Sequence, residues 1–555
     1  MLEKTIPHLA LMMRKMMQHK HACYIRDRLQ SRALIIIIAL LSLIPCINIL
    51  YSLILGENIA WLMEAARRLL DGKNLLQNIY ETNPPLSILL YTPFVFFSEV
   101  TGLTGHQSIF FLIITFSLVF AWLLLKILDQ IEILDTVQKN AIIFAYFVGL
   151  FCIPNIYFAE RENIMTIAII PFFLAQYCIT KKIILPSYVL YTVLIFGSIA
   201  LLIKPHFGIL PTLVFGHRLI TQRRLSIVFD KDFLILSIIT SIYLVILYTF
   251  FYNYLVVIFP DVIRLYITIT DDYWLALRLS PYIMGCIVLI VTESLLEDLS
   301  KDKRFFVIGL YIASLICFIP ALIQMKGYYY HLLPGITFLL CGLSLSFTIR
   351  AKFIPCKLTY SYTPLLLMCL LLYFSLPKVS DYPKVQNIKS MPFGVYLSEN
   401  CPNPCTFFMF HSSLSVFHPT AFYMGLHHGS RFPVYWFLPS IVNADYAHKN
   451  NLNSQLSLEE TQNLKKRYTQ YALDDLKNYE PSIILLVNNI SIAGDEYFNY
   501  VDFFSESIKF KEYFSAHYSK TGSFKMDQSL YFKDTDYQPS PHIFEYDVYT
   551  RKDSL

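Results

Sequence analysis

The sequence predicts a polytopic α-helical membrane protein with a C-terminal α/β domain outside the cytoplasm, and three observations predict it. The 555 residues are 55% apolar and only 15% charged, with mean hydropathy +0.49, whereas soluble domains run near a quarter charged. Apolar runs of about 17–25 residues, long enough to cross a ~30 Å hydrocarbon core, recur from Leu34 to Phe374. After Pro377 the text changes to mixed polar, aromatic and charged residues.

The formal charge of +5 is small and its basic residues are spread through short loops, so nothing points to nucleic acid. Most of the 11 cysteines fall within apolar runs and read as small buried hydrophobes. Cys401 and Cys405 in CPNPC fall in the polar tail; outside the cytoplasm they form either a disulfide or two free thiols.

Candidate membrane segments are 33–55, 86–101, 107–126, 141–159, 163–180, 183–203, 207–220, 233–256, 281–296, 305–322, 332–349 and 360–376. Their topology turns on 86–101, which follows YETNPP. Two prolines without amide hydrogens should start a helix, with Glu81 just outside it. Cytoplasmic loops collect Lys and Arg, and the segment 1–32 carries Arg14, Lys15, Lys20, Arg26, Arg28 and Arg32. If 86–101 lies at the outer interface without crossing, five later basic clusters also fall inside. These are Lys126 with Lys139, Lys181–Lys182, Arg218 with Arg223–Arg224, Lys301 to Arg304, and Arg350 to Lys357. If it crosses, all of them fall outside. The first choice leaves about eleven spans over 33–376, a large outer loop 56–105, and an external domain 377–555.

That choice places the unusual polar residues on one side. Charges near membrane depth are costly and usually line a site. Residues 56–73 have helical apolar spacing with Arg67 and Arg68 on the other side, as in an interfacial amphipathic helix. Glu57 at its start reads as a cap or as a general base, and Glu81 as a loop acid or a second catalytic carboxylate. The Glu160-Arg161-Glu162 turn reads as a charged hairpin. It also reads as a rigid guanidinium fork for phosphate, with Glu162 one residue inside a helix. Lys204 and His206 flank Pro205; Lys326 and His331 flank three tyrosines that read as an interfacial belt or a sugar platform. Acids and cationic donors at one membrane face suit a lipid-linked anion: a leaving phosphate needs charge stabilisation and an incoming hydroxyl needs a base.

The order of features resembles the GT-C superfamily of membrane glycosyltransferases, in the branch of lipid A aminoarabinose transferases and protein O-mannosyltransferases. The features are a first span, a large outer loop with an early acid, an acid before Pro-Pro-Leu, and an acid between the third and fourth spans. ERENIM, KPHF and KGYYYHLLP also look similar to an uncharacterised bacterial subgroup. The resemblance covers roughly residues 30 to 376. It implies inverting transfer of a sugar from a polyprenyl-phosphate donor to an envelope lipid, glycan or protein, outside a bacterial inner membrane. Glu57 stands at the position of the family's loop base, where Asp is usual. Glu81 matches the acid before the prolines, and Asn83 stands where Lys or His is common. Glu162 matches the acid of the second outer loop. Glu81 and Glu162 would orient the base or hold an optional divalent cation, and Arg161, Lys204, His206, Lys326 and His331 would hold phosphate. Two other readings stand beside this one: a transporter or lipid flippase, and a non-catalytic scaffold for envelope assembly.

In the tail, CTFFMF (405–410), PSIILLVNN (481–489) and SLYFK (529–533) read as strands. Ser457-x-x-Glu460 reads as a capping box that opens a helix to about Lys477. His411, His418, His427 and His428 match no regular metal-ligand spacing. HGSRFPVYW (428–436) reads as a loop packed on the membrane part.

Overall fold

The computed structural model describes residues 43–266, 275–295, 299–351, 384–401, 405–412, 414, 417–488, 498–527 and 543–552. The basic segment 1–32, the start of the first apolar segment, the segment 360–376 and the strand expected at 529–533 lie outside the described residues.

The chain begins with α1 (Leu43–Ser52) and α2 (Glu57–Leu70). After Pro84 and Pro85 the backbone turns helical as expected: Ser87 N–H donates to the Pro84 carbonyl at 2.8 Å and Ile88 N–H to that of Pro85 at 3.0 Å. The apolar stretch behind them is broken at Leu90–Tyr91 into α3 (Leu86–Leu89) and α4 (Thr92–Thr101). Gly102, at φ 73°, ends α4 in the left-handed conformation that glycine adopts without strain. Capping boxes at Thr104 and Asp135 open α5 (Gly105–Gln130) and α6 (Thr136–Phe151). Helix α6 stops short of the expected end at 159. Pro154 cannot continue it, and a 3-10 turn at Asn155–Tyr157 follows.

Next come α7 (Arg161–Thr180), α8 (Ser187–Ile203), α9 (Ile209–Gln222) and α10 (Lys231–Phe250). Residues 254–266, expected as the end of the segment 233–256 followed by an outer loop, are helical with π turns on both sides of α11 (Phe259–Asp261). Three helices complete the bundle: α12 (Leu275–Leu295), α13 (Lys301–Gln324) and α14 (Leu333–Ala351). Among the described residues five helices are long and apolar enough to cross a membrane: α5, α7, α10, α13 and Tyr329–Ala351, which includes α14. At 1.5 Å per residue the 20-residue helices reach about 30 Å. The chain is a membrane protein by these segments.

Small residues let the helices approach closely. Helix α14 packs on α6, α13 and α7, and a Cβ added at Gly149 of α6 would lie 2.5 Å from Thr337 Cγ2 of α14. Thr337 is β-branched and buried, so it has little room to yield. Gly149→Ala is therefore expected to destabilise the fold by about 1–3 kcal/mol, read as a lowered Tm in detergent.

The C-terminal region is α/β. It holds a five-stranded sheet in the order β2-β1-β3-β5-β4, with β1 Thr406–Phe410, β2 His427–His428, β3 Ile483–Val487, β4 Tyr518–Asp527 and β5 Ile543–Arg551. Strand β1 pairs parallel with β2 and β3, whereas β5 runs antiparallel to β3 and β4. Among the described residues six helices accompany the sheet in this region: α15 (Pro392–Asn400), α16 (Phe417–Met424), α17 (Leu438–Lys449), α18 (Leu458–Tyr479), α19 (Tyr500–Ser505) and α20 (Ile508–His517). The Ser457–Glu460 capping box opens α18 as expected. Cys401 and Cys405 are disulfide-bonded. Six cysteines of the apolar segments are free and buried, as read from the sequence.

One apolar core runs through both regions, and polar ties cross the seam. Asp261 Oδ2 accepts from Tyr80 Oη at 2.6 Å and from Tyr468 Oη at 2.8 Å, and Arg467 donates to the same carboxylate. Arg431 pairs with Asp475 at 2.7 Å and donates to the Leu76 carbonyl at 3.0 Å, so the 428–436 loop does pack on the membrane part. Helix α2 is amphipathic as expected, but one arginine of its polar side is turned into protein. Arg68 is buried, donating to the carbonyls of Asn78 and Ser430 at 2.8 and 2.7 Å and to that of His428. The C-terminal domain covers the side that the helical wheel leaves to water.

Candidate active site

Four helix ends meet at one end of the bundle: the N-termini of α2 and α7, the C-terminus of α8, and the turn before α14. The polar residues between the apolar runs sit at these ends because the spans themselves carry few charges.

Glu57 opens α2, where the helix N-terminus favours an acid. It keeps part of its surface exposed, yet enough protein lies near it to desolvate its charge. Burial first, and the Glu160 charge second, push its carboxyl up to about 8. Glu160 is the N-cap of α7 and almost fully buried. Its Oε1 accepts from Asn58 Nδ2 at 3.2 Å, while Oε2 has no partner among the described residues. Burial is the main cause that raises it to about 7, opposed by Arg161. Gly56 makes room for this carboxylate: a Cβ there would lie 3.3 Å from Glu160 Oε1.

Arg161 is 3% exposed and within electrostatic reach of Glu162, Glu160, Tyr330 and Glu81. Its Nε and Nη1 have no hydrogen-bond partner among the described residues. Buried donors are rarely left so. Glu162 Oε1 lies 3.1 Å from Lys204 Nζ and 3.5 Å from His331 Nε2. Lys204 is buried, and that burial pulls its ammonium below the ordinary lysine range while the Glu162 charge holds it up. His206 Nε2 lies 2.9 Å from Gln324 Nε2. Burial, then Lys204, lowers it to about 4, so near neutral pH it is a hydrogen-bonding group and not a cation. Asn58 Nδ2 also reaches Tyr330 Oη at 3.4 Å.

Glu81 is buried beside this cluster with its oxygens taken. Oε2 accepts from Trp61 Nε1 at 2.7 Å; Oε1 accepts from Asn83 N at 2.9 Å and Asn83 Nδ2 at 2.6 Å. The structure therefore draws Glu162, Arg161, Lys204, His206 and His331 together, and sets Glu57 beside Glu160. Lys326 engages the 254–266 segment: Nζ donates to the Tyr266 carbonyl at 3.1 Å and lies 4.4 Å from its ring centroid.

Glu81 and Glu162 make a poor cage for a divalent cation. One is filled by Trp61 and Asn83, and the other faces Lys204 and His331. Among the described residues no group of three or more His, Cys, Asp or Glu is placed to hold a metal ion. Of the tail histidines, His411, His418 and His428 are buried and His427 is exposed; His418 and His428 donate from Nε2 to the Pro433 and Phe432 carbonyls at 2.8 and 2.7 Å. The tyrosines 328–330 also stack on partners of this chain, Tyr328 on Tyr330 at 5.3 Å and Tyr329 near Tyr157 at 5.9 Å.

Sequence reasoning missed Glu160 as a partner of Glu57, and Asn58 as the bridge to Tyr330. The signal for Glu160 was its place one residue before a helix, beside an arginine. No family model matches this chain, and a search of curated proteins finds no match either.

Near neutral pH Glu57 then keeps its proton and Glu160, raised to about 7, is partly ionised, so this acid pair carries less negative charge than its number of carboxyls suggests. The recess is then chemically able to accept an anion at Arg161 and to take a proton at the carboxylate pair as pH rises.

Proposed function

We propose that this chain is an inverting glycosyltransferase that moves a sugar from a polyprenyl-phosphate donor to a lipid, glycan or protein of the cell envelope. In this reading it is a GT-C-like enzyme of a bacterial inner membrane with about eleven spans. The site and the C-terminal domain face outside the cytoplasm. One observation carries the reading: Arg161 is buried among carboxylates with two donor nitrogens unpartnered, at a mouth where an acid with raised proton affinity also opens.

The donor phosphate would accept hydrogen bonds from the Arg161 guanidinium, whose Nε and Nη1 are unpartnered on different edges of its plane. As the bond from the anomeric carbon to the phosphate oxygen breaks, its electron pair stays on that oxygen, stabilised by Arg161 and Lys204. The acceptor hydroxyl bonds to the anomeric carbon from the opposite face, and its proton passes to ionised Glu57. Attack opposite the leaving group inverts the centre. Glu81, clamped by Trp61 and Asn83, fixes the loop that faces Arg161 and takes no proton in this scheme.

The purified protein in nanodiscs, given polyprenyl-phosphate sugars and envelope acceptors, is expected to form product detectable by mass spectrometry. Glu81→Gln presents an amide donor to either Trp61 Nε1–H or Asn83. That should displace the loop and slow transfer by about 10²-fold while expression is retained. Uptake or lipid flipping by the pure protein with no transfer of any sugar would assign it to the transporters instead.

A further inference from the structure

Eight non-glycine residues have positive φ among the described residues, and helix ends explain five of them. Arg223, Met325 and Glu480 are C-caps of α9, α13 and α18; Lys182 and Asn451 directly follow the C-caps of α7 and α17. Ala159 is different. At φ 71° it precedes a helix, and the next two residues are Glu160 and Arg161. The left-handed conformation costs alanine about 1–2 kcal/mol, because Cβ crowds the following carbonyl, so neighbours must hold it.

Two side chains do so. Ala159 N–H donates to Asn163 Oδ1 at 3.0 Å, and Asn163 Nδ2 is itself tied to the Leu150 carbonyl at 3.1 Å. Tyr91 Oη donates to the Ala159 carbonyl at 2.7 Å. Tyr91 comes from the break between α3 and α4, in the apolar segment behind the double proline, and has no exposed surface. A buried tyrosine donating to a carbonyl is ordinary core chemistry. What sets this one apart is that the peptide it grips is both strained and adjacent to the guanidinium and carboxylate of the recess.

We infer that Tyr91 and Asn163 are positioning residues: they hold Ala159 left-handed, and this turn sets Glu160 against Glu57 and the Arg161 fork into the recess. Rotation of Ala159 to negative φ would swing both side chains away. The inference rests on the proposed glycosyl transfer for its kinetic readout, and a second readout is independent of it.

The test compares full-length protein with Tyr91→Phe, Ala159→Gly and the double variant in nanodiscs. Phenylalanine keeps the ring and removes only the grip. Glycine removes the conformational cost, so the turn holds without it. Tyr91→Phe is expected to lower kcat about 10-fold with KM for the acceptor little changed, and the double variant to recover at least half of the lost rate constant. Full kcat in Tyr91→Phe, or a double variant as slow as Tyr91→Phe, overturns the inference. If the wild type transfers no sugar from any polyprenyl phosphate, the functional reading fails and infrared titration decides the clamp. The protonated-carboxyl band that Glu57→Gln deletes should titrate at lower pH in Tyr91→Phe, because Glu160 has moved away, and return to its wild-type midpoint in the double variant. A band unmoved by Tyr91→Phe, or not restored, overturns it.

Discussion

Glu57→Gln is expected to slow sugar transfer by about 10²–10⁴-fold while the protein still folds and inserts. Glutamine keeps the length and the hydrogen-bonding shape but cannot take the proton of the acceptor hydroxyl. The pH profile separates this role from a structural one. Glu57 must be ionised to act, and burial with the neighbouring Glu160 charge raises its carboxyl to about 8. Wild-type kcat should therefore climb from pH 6 to pH 9 with a midpoint near 8. Glu160→Gln removes a charge that raises Glu57, so the climb should move to lower pH, with no matching shift in Glu81→Gln. Stability runs the opposite way. The unfolded carboxyl ionises near its ordinary value of 4.5, whereas the folded one keeps its proton to about 8. Folding stability thus falls as pH rises through that window and levels off above it. Glu57→Gln should flatten this part of a Tm-against-pH curve. A Glu57→Gln protein with the wild-type rate would remove the proposed base.

The apolar segments were legible in the sequence because in a bilayer the length of an uncharged run is itself the structural constraint. Helices α5 to α10 and α12 to α14 lie within a few residues of the expected segments, and α6 departs where Pro154 stops it. Caps were legible too, since Ser457 and Glu460 satisfy each other locally. Strands β1 and β3 read as strands because both are apolar runs buried in the sheet. Strands β4 and β5 were not read. YSKTGSFKMD shows its polar face to water over most of its length, and only pairing with β5 makes it a strand. The same difference governs the site. Glu57, Arg161, Glu162, Lys204 and His331 were singled out because charge at the ends of apolar runs is conspicuous. Glu160 meets Glu57 across about 100 positions, next to a left-handed alanine, and the burial of Arg68 depends on carbonyls more than 300 positions away. Neither leaves a periodic trace. His206 looked like a cation because it stands with Lys204 at the end of an apolar run; the fold surrounds it with protein and with Lys204, and both favour the neutral ring.

Arg161→Lys is the second change with a large expected effect, because it retains the charge and removes the geometry. Lysine brings one ammonium on a flexible stem where arginine presents a planar fork, and the two unpartnered nitrogens of Arg161 have no equivalent in it. A hydrogen bond to a charged group is worth about 1.5–3 kcal/mol, and each 1.4 kcal/mol is roughly tenfold in affinity. Binding of a polyprenyl phosphate, measured in nanodiscs, should therefore weaken by about 10–100-fold in Arg161→Lys. Arg161→Met should behave differently. It leaves Glu81, Glu160 and Glu162 short of a counter-charge in a buried place, a change that typically costs about 3–5 kcal/mol. Part of that loss should be recovered at acid pH as the carboxylates take up protons, so Tm of Arg161→Met should rise relative to wild type on lowering the pH. A guanidinium present only to hold the turn would leave phosphate affinity unchanged in the lysine variant while still lowering Tm in the methionine variant. Equal affinity for polyprenyl phosphate in wild type and Arg161→Lys would therefore detach Arg161 from the donor, and with it the phosphate-binding reading of the recess.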